Sequence, residues 1–146
     1  MSGNADTLRA LADAFNSRDF DRARELVSDD LEFVDLAMGV TIQGVDGFIG
    51  YAQSWATAFS DMQLETRAVV SDERYASGEF VGRGTHDGTL PTPNGDVPAT
   101  GRRIEAPFVW FAEFDHGKIT GVRDYYNALT LMAQLGLMPE PVESTA

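Results

Sequence analysis

The chain has 146 residues, 43% of them hydrophobic and 23% charged, which fits one globular domain around one core. Cysteine is absent, so disulfides, thiolate nucleophiles and Cys-ligated metals are excluded and only His, Asp and Glu remain as strong ligands. A net charge of −12 without a Lys/Arg cluster argues against nucleic acid, and no apolar run approaches the roughly 20 residues that span a bilayer.

The polar stretch from Met1 to Asp6 lacks the basic and apolar pattern of a secretory signal, so a cytoplasmic location is the expectation. From Asp6 to Phe15, Leu8, Leu11, Ala12 and Phe15 recur at the spacing of one buried helical face. Phe20, Ala23, Leu26 and Val27 predict a second short helix, stopped by Ser28-Asp29-Asp30. Leu31 to Leu36 reads as a strand. Gly44 to Phe59 predicts a third helix with a broad stripe of Phe48, Tyr51, Ala52, Trp55 and Phe59.

Period two then takes over. Leu64, Thr66, Ala68 and Val70 alternate with polar neighbours as a half-buried strand, and Glu73 to His86 continues the sheet. Gly78, Gly82 and Gly84 share one parity, which marks bends or close backbone approach. Leu90 to Arg102 is rich in Pro and Gly and reads as a long loop. Ile104 to Phe114 and Lys118 to Tyr126 flank Asp115-His116-Gly117 as a hairpin, and Leu129 to Leu135 closes the chain with a helical turn or two. The expected fold is α+β: a single domain with its core at about residues 5–138 and a frayed tail at 139–146. Its curved antiparallel or mixed sheet carries the three helices of the N-terminal half on the concave side, enclosing an apolar pocket.

Three residues are candidates for chemistry. Asp124 shares a strand face with Val122 and Tyr126, leaving Ile119, Gly121, Arg123 and Tyr125 on the other. If that face lines a cavity, desolvation raises the carboxyl pKa and suits it to take and return a proton; the alternative is a surface aspartate paired with Arg123 or Arg103. Asp35 is an acid within the apolar run Phe33 to Met38, either a buried functional carboxyl or a turn residue capping backbone N–H groups ahead of Gly39. His86 ends the glycine-rich strand, either orienting a carbonyl oxygen or satisfied structurally at the strand-to-loop junction. His116 sits in a turn and reads as solvent-facing, so a two-His metal site is not expected, and nothing in the chain calls for a nucleotide or flavin cofactor.

Phe15, Phe33, Met38, Tyr51, Trp55 and Phe108 are the first candidates for walls of a pocket that takes a hydrophobic, planar or polycyclic carbonyl ligand. Trp110, Tyr126, Asn127 and Met132 join them, with plain core packing as the alternative. There is no Walker-type or dinucleotide-binding glycine motif and no serine nucleophile elbow.

The segments Gly84 to Gly88, Pro98 to Glu105, Asp115 to Ile119, Arg123 to Asn127 and Gln134 to Leu137 resemble, in order, the C-terminal half of SnoaL-like polyketide cyclases. Ala14-Phe15-Asn16, Asp29-Asp30 and Gly44 to Gly47 extend the resemblance more loosely over the N-terminal half. It implies the cone-shaped fold of the nuclear transport factor 2-like superfamily, a pocket that works without a cofactor, and a homodimer or higher homo-oligomer. It also implies acid/base catalysis of an intramolecular aldol ring closure by Asp124, with His86 near the pocket. Asp35 is similar in position to the general base of related steroid isomerases, and Asn127 stands where many relatives carry Asp. Such folds host unrelated activities, so a hydroxylase, an isomerase, an epoxide hydrolase and a non-catalytic binding module are the other readings.

Overall fold

A computed structural model of the protein describes residues 3–138, so the tail expected at 139–146 lies outside the described residues. Helix α1 (Asn4–Ser17) forms on the expected apolar spacing and buries Leu8, Leu11, Ala12 and Ala14. It ends where Arg18 adopts a left-handed conformation (φ 59°), and α2 (Phe20–Leu26) starts behind Asp19, whose side chain accepts the Arg22 N–H at 3.0 Å. The second helix therefore stops one residue earlier than expected, because Val27 is already extended and opens β1 (Val27–Asp35).

Strand β2 (Val40–Gln43), which the sequence pattern did not reveal, returns antiparallel along β1 before α3 (Val45–Ala58). Val40-Thr41-Ile42-Gln43 does alternate, but four residues between Gly39 and Gly44 are too few to stand out from a turn. The chain continues through β3 (Gln63–Ser71), β4 (Tyr75–Thr85), β5 (Leu90–Thr92), β6 (Gly95–Val97), β7 (Arg103–Asp115), β8 (Lys118–Tyr125) and α4 (Ala128–Gln134). The stretch expected as a plain loop over 90–102 thus contains a two-stranded hairpin, anchored by Leu90 at 1% exposure.

The main sheet has the order β2-β1-β8-β7-β4-β3, with β1 and β8 parallel and every other neighbour antiparallel. Two bulges correct the simple alternation. Thr66 pairs with Phe80 but Ala68 with Glu79, so Arg67 is an extra residue; beyond it Val69 turns toward the core, while Ala68 is exposed and Val70 stands 70% exposed. Glu113 pairs with Gly121 but Phe114 with Ile119, so Thr120 is extra and Ile119 is buried along with Val122 rather than facing out beside Arg123.

The strand glycines make room for rings. A Cβ on Gly78 would lie 2.7 Å from the Phe80 ring, and one on Gly82 would lie 2.8 Å from the Phe108 ring. The space left by the missing side chains lets the aromatic side chains of β4 and β7 lie down on the inner face of the sheet. Helices α1 and α3 pack over that face and meet β3, β4 and β1, so the core forms between helices and sheet. Among the described residues no helix is long and apolar enough to cross a membrane.

Candidate functional site

A partly open cavity of about 80 Å³ lies between the sheet and the helices. Eight of its fifteen lining residues are aromatic, which makes the walls flat, rigid and poor at solvating charge. The α3 stripe supplies Phe48, Tyr51, Ala52 and Trp55, because positions 48, 51, 52 and 55 fall on one helical face. Phe15 and Phe20 close it from α1 and α2, and Phe33, Phe108 and Trp110 rise from the sheet. Phe15 is held by Arg18, whose guanidinium lies 4.7 Å from the ring centroid and donates to the Phe15 and Ser60 carbonyls at 2.7 and 3.0 Å.

Among the described residues Asp124 is the one acidic side chain lining this cavity, and no Lys, Arg or His lines it. Its Oδ1 is buried without a hydrogen-bond partner. Desolvation in this apolar surround, and then the negative charge of Asp35, hold its carboxyl well above the usual carboxylate range. A carboxyl raised in this way is a stronger base when ionised and holds its proton more firmly when neutral than an exposed or ion-paired aspartate, as acid/base exchange requires.

Asp35 pairs with Asp124 across the parallel β1–β8 ladder, and the Leu36 N–H donates to the Asp124 carbonyl at 3.0 Å. Asp35 is fully buried, and its side chain accepts three hydrogen bonds. The Met38 N–H donates to Oδ1 at 2.9 Å, the Tyr126 hydroxyl donates to Oδ2 at 2.7 Å, and the Tyr51 hydroxyl donates to the same Oδ2. Burial, and for each ring the neighbouring Asp35, push both tyrosine pKa values far up, so the hydroxyls stay protonated donors. Asp35 thus caps the turn ahead of Gly39 and also anchors two phenols; it stands behind the cavity wall rather than in it.

His86 is fully buried outside the cavity lining. Its ring packs 5.2 Å from Phe59, which in turn stacks on Trp55 at 5.6 Å, so an aromatic ring separates it from the cavity wall. Its Nδ1 accepts the Thr100 N–H at 3.1 Å and lies 2.9 Å from Thr100 Oγ1, fixing the strand-to-loop junction. Burial lowers its pKa against the opposing influence of the Gly88 backbone and Asp87, so the neutral ring is favoured. The expected contact between His86 and a reacting carbonyl is not provided by this placement.

Of the other expected wall residues, Tyr126 packs its ring against Trp55 and Phe108 at 5.9 and 4.9 Å while its hydroxyl serves Asp35. Met38 contributes its backbone N–H, and Met132 is partly buried against the core outside the lining. Asn127 is exposed: it caps α4, its Oδ1 accepting the Thr130 N–H at 3.1 Å, and so does not reach the cavity. Phe20, Met62 and Leu64 line the cavity but were not singled out, since apolar residues of a short helix, a turn and a strand look like ordinary core. His116 faces solvent, and among the described residues no three His, Asp or Glu side chains gather to hold a metal ion.

The sequence profile of the SnoaL-like polyketide cyclases matches residues 5–135. The chain belongs to this family. The SnoaL-like chain has the nuclear transport factor 2-like fold of its structural neighbours, also described as ketosteroid isomerase-like. IdmH of Streptomyces antibioticus, a candidate polyketide cyclase, is 26% identical, with 92% of this chain and 99% of that one covered at a TM-score of 0.77. A candidate SnoaL-like cyclase from Jannaschia sp. CCS1 superposes with a TM-score of 0.81 over 93% of each chain at 19% identity. AclR of Streptomyces galilaeus, a candidate hydroxylase, is 21% identical, covering 96% of this chain and 85% of its own at a TM-score of 0.79. A search of curated proteins found no match.

Proposed function

We propose that this SnoaL-like chain is a cofactor-independent cyclase that closes a ring in a carbonyl compound by proton transfer through Asp124. The observation that carries the reading is Asp124, among the described residues the only acidic group lining an aromatic cavity, with one carboxyl oxygen buried and unpartnered; desolvation and the neighbouring Asp35 raise its pKa accordingly. The description of IdmH as a candidate polyketide cyclase agrees with it.

In the proposed cycle, ionised Asp124 takes a proton from the carbon beside a carbonyl, leaving an enolate. The enolate carbon bonds to a second carbonyl carbon of the same molecule, and the alkoxide formed there takes the proton back from Asp124. The product is an isomer of the substrate and Asp124 is restored. An elevated pKa serves both halves, because it makes the carboxylate a stronger base toward carbon and keeps the acid form available for return. The aromatic walls fold the chain so that its two carbonyl groups meet, and orientation supplies much of the rate.

Replacing Asp124 with Asn, which keeps the shape and removes the proton exchange, is expected to abolish turnover with the fold intact. Full retained activity would refute the assignment. AclR makes oxygen insertion the second reading, and incorporation of labelled oxygen into product would favour it, since ring closure incorporates none. We also place the homodimer expected for the family on the outer sheet face, where Pro107, Val109, Tyr125 and Leu129 line an apolar surface groove. Sedimentation of Val109→Glu against the native chain tests it, with loss of the dimer as the supporting outcome.

A further inference from the structure

Cavity volume and charge together restrict what can reach Asp124. The volume is about 80 Å³, below the roughly 150 Å³ of an engineered protein cavity that accepts one benzene molecule and far below the 300–1,000 Å³ of pockets for drug-sized ligands. A single ring is therefore admitted by modest side-chain adjustment, whereas a flat system of three or four fused rings requires the walls to move apart.

The walls that set this limit are braced. Trp55 meets Phe59, Phe108 and Tyr126, at 5.6, 6.3 and 5.9 Å between ring centroids, and Tyr126 is tethered through its hydroxyl to Asp35. Phe108 in turn lies over Gly82, where even a methyl group would collide with it, so its ring has no room to retreat into the sheet. Charge sets the second limit. Among the described residues no cationic side chain lines the cavity, and Asp35 behind its wall acts on Asp124 as a negative charge. An anionic ligand would lose its hydration with no counter-ion and meet a like charge.

We infer that the substrate at this site is a compact, uncharged carbonyl compound, an open chain or a single ring, and that Trp55 and Phe108 exclude preformed polycycles. This narrows the substrate class of the proposed cyclase and rests on that reading for its chemistry, but the selection itself is a binding property and is measured without turnover.

The readout is built in: the chain has two tryptophans, Trp55 and Trp110, and both line the cavity, so their two indole N–H resonances report occupancy directly. Titration with cyclohexanone is expected to move both resonances saturably. Cyclohexanecarboxylate, of similar size but anionic, and anthrone, neutral but with three fused rings, are expected to bind at least about tenfold more weakly. Trp55→Ala is expected to admit anthrone, read by the Trp110 resonance, and Phe108→Leu serves the same purpose should Trp55→Ala fail to fold.

Equal or tighter binding of anthrone or of the carboxylate by the native chain would overturn the inference, as would the absence of any cyclohexanone effect on the indoles. The two readings fail separately. The expected binding order with no turnover of any carbonyl compound would sink the catalytic reading and leave the selection standing. Turnover of a polycyclic substrate that is lost in Asp124→Asn would do the reverse.

Discussion

Asp35 and Asp124 sit side by side on parallel neighbouring strands, paired in register, yet Asp35 accepts three hydrogen bonds and Asp124 leaves one buried oxygen unpartnered. Strands about 4.8 Å apart bring two carboxyl groups too close for both to ionise freely in a dry site. The donors hold the Asp35 carboxyl in place, and Asp124, whose buried Oδ1 has no donor, is the group left to exchange a proton.

This asymmetry predicts that Asp124 destabilises the native state as the pH rises. Its folded pKa is raised above its unfolded value of about 3.9, so between the two the folded chain retains a proton that the unfolded chain has lost. The stability it contributes is complete below the unfolded value and is lost as pH climbs through the folded one. Asp124→Asn should therefore melt above the native chain at pH 8, with the gap closing near pH 4. A thermal melt series of both proteins checks this, and a constant gap would contradict it.

Removing the Asp35 charge should release part of the hold on Asp124. In Asp35→Asn the Asp124 carboxyl should titrate at lower pH than in the native chain while staying above an exposed aspartate, because the larger influence, desolvation, is untouched. Carboxyl-carbon NMR titration measures it directly. The ascending limb of the pH–rate profile should move to lower pH with it.

The two phenols can be weighed one at a time. Tyr51→Phe and Tyr126→Phe each remove a hydrogen bond to a buried, charged acceptor, worth about 1.5–3 kcal/mol. Since both hydroxyls serve the same oxygen, the double variant should depart from the sum of the singles. Urea unfolding of the three variants tests both statements.

Gly82→Ala places a methyl group 2.8 Å from the Phe108 ring and 2.9 Å from the Met62 methyl. Overpacking of this kind costs about 1–3 kcal/mol. Because Phe108 must move toward the cavity, the variant should also weaken cyclohexanone binding, whereas loss of stability with unchanged binding would mean that Phe108 has another way out.

His86 acts on stability with the opposite sign from Asp124. Its folded pKa is lowered, so the unfolded chain takes up a proton first as pH falls. Its contribution is complete above the unfolded value of about 6.5 and is lost as pH falls toward and through the folded one. The difference in melting temperature between native protein and His86→Gln should shrink over that acid range.

Much of this protein was legible in its sequence. The spacing of Leu8, Leu11 and Ala12 and of Phe48, Tyr51, Ala52 and Trp55 defined two helical faces, and the glycine parity of Gly78 and Gly82 marked bends or close approach, without showing that aromatic rings fill the space. Period two put Asp124 on the strand face of Val122, because a single residue separates them and no irregularity intervenes. Local periodicity reports what a residue's own strand or helix does, and there it was sufficient.

Tertiary structure decided the rest. One extra residue at Arg67 and one at Thr120 reversed the faces of Val70 and Ile119, and a bulge leaves no mark in an alternating pattern. The pairing of Asp35 with Asp124 arises from a parallel ladder between residues 89 positions apart (124 − 35), with Tyr51 and Tyr126 brought in from α3 and the end of β8. Nor does any local signal set His86 behind Phe59 or leave Asn127 exposed at the head of α4. Such contacts depend on strand order and register, which are settled by burial of the whole core and not by the residues adjoining each site.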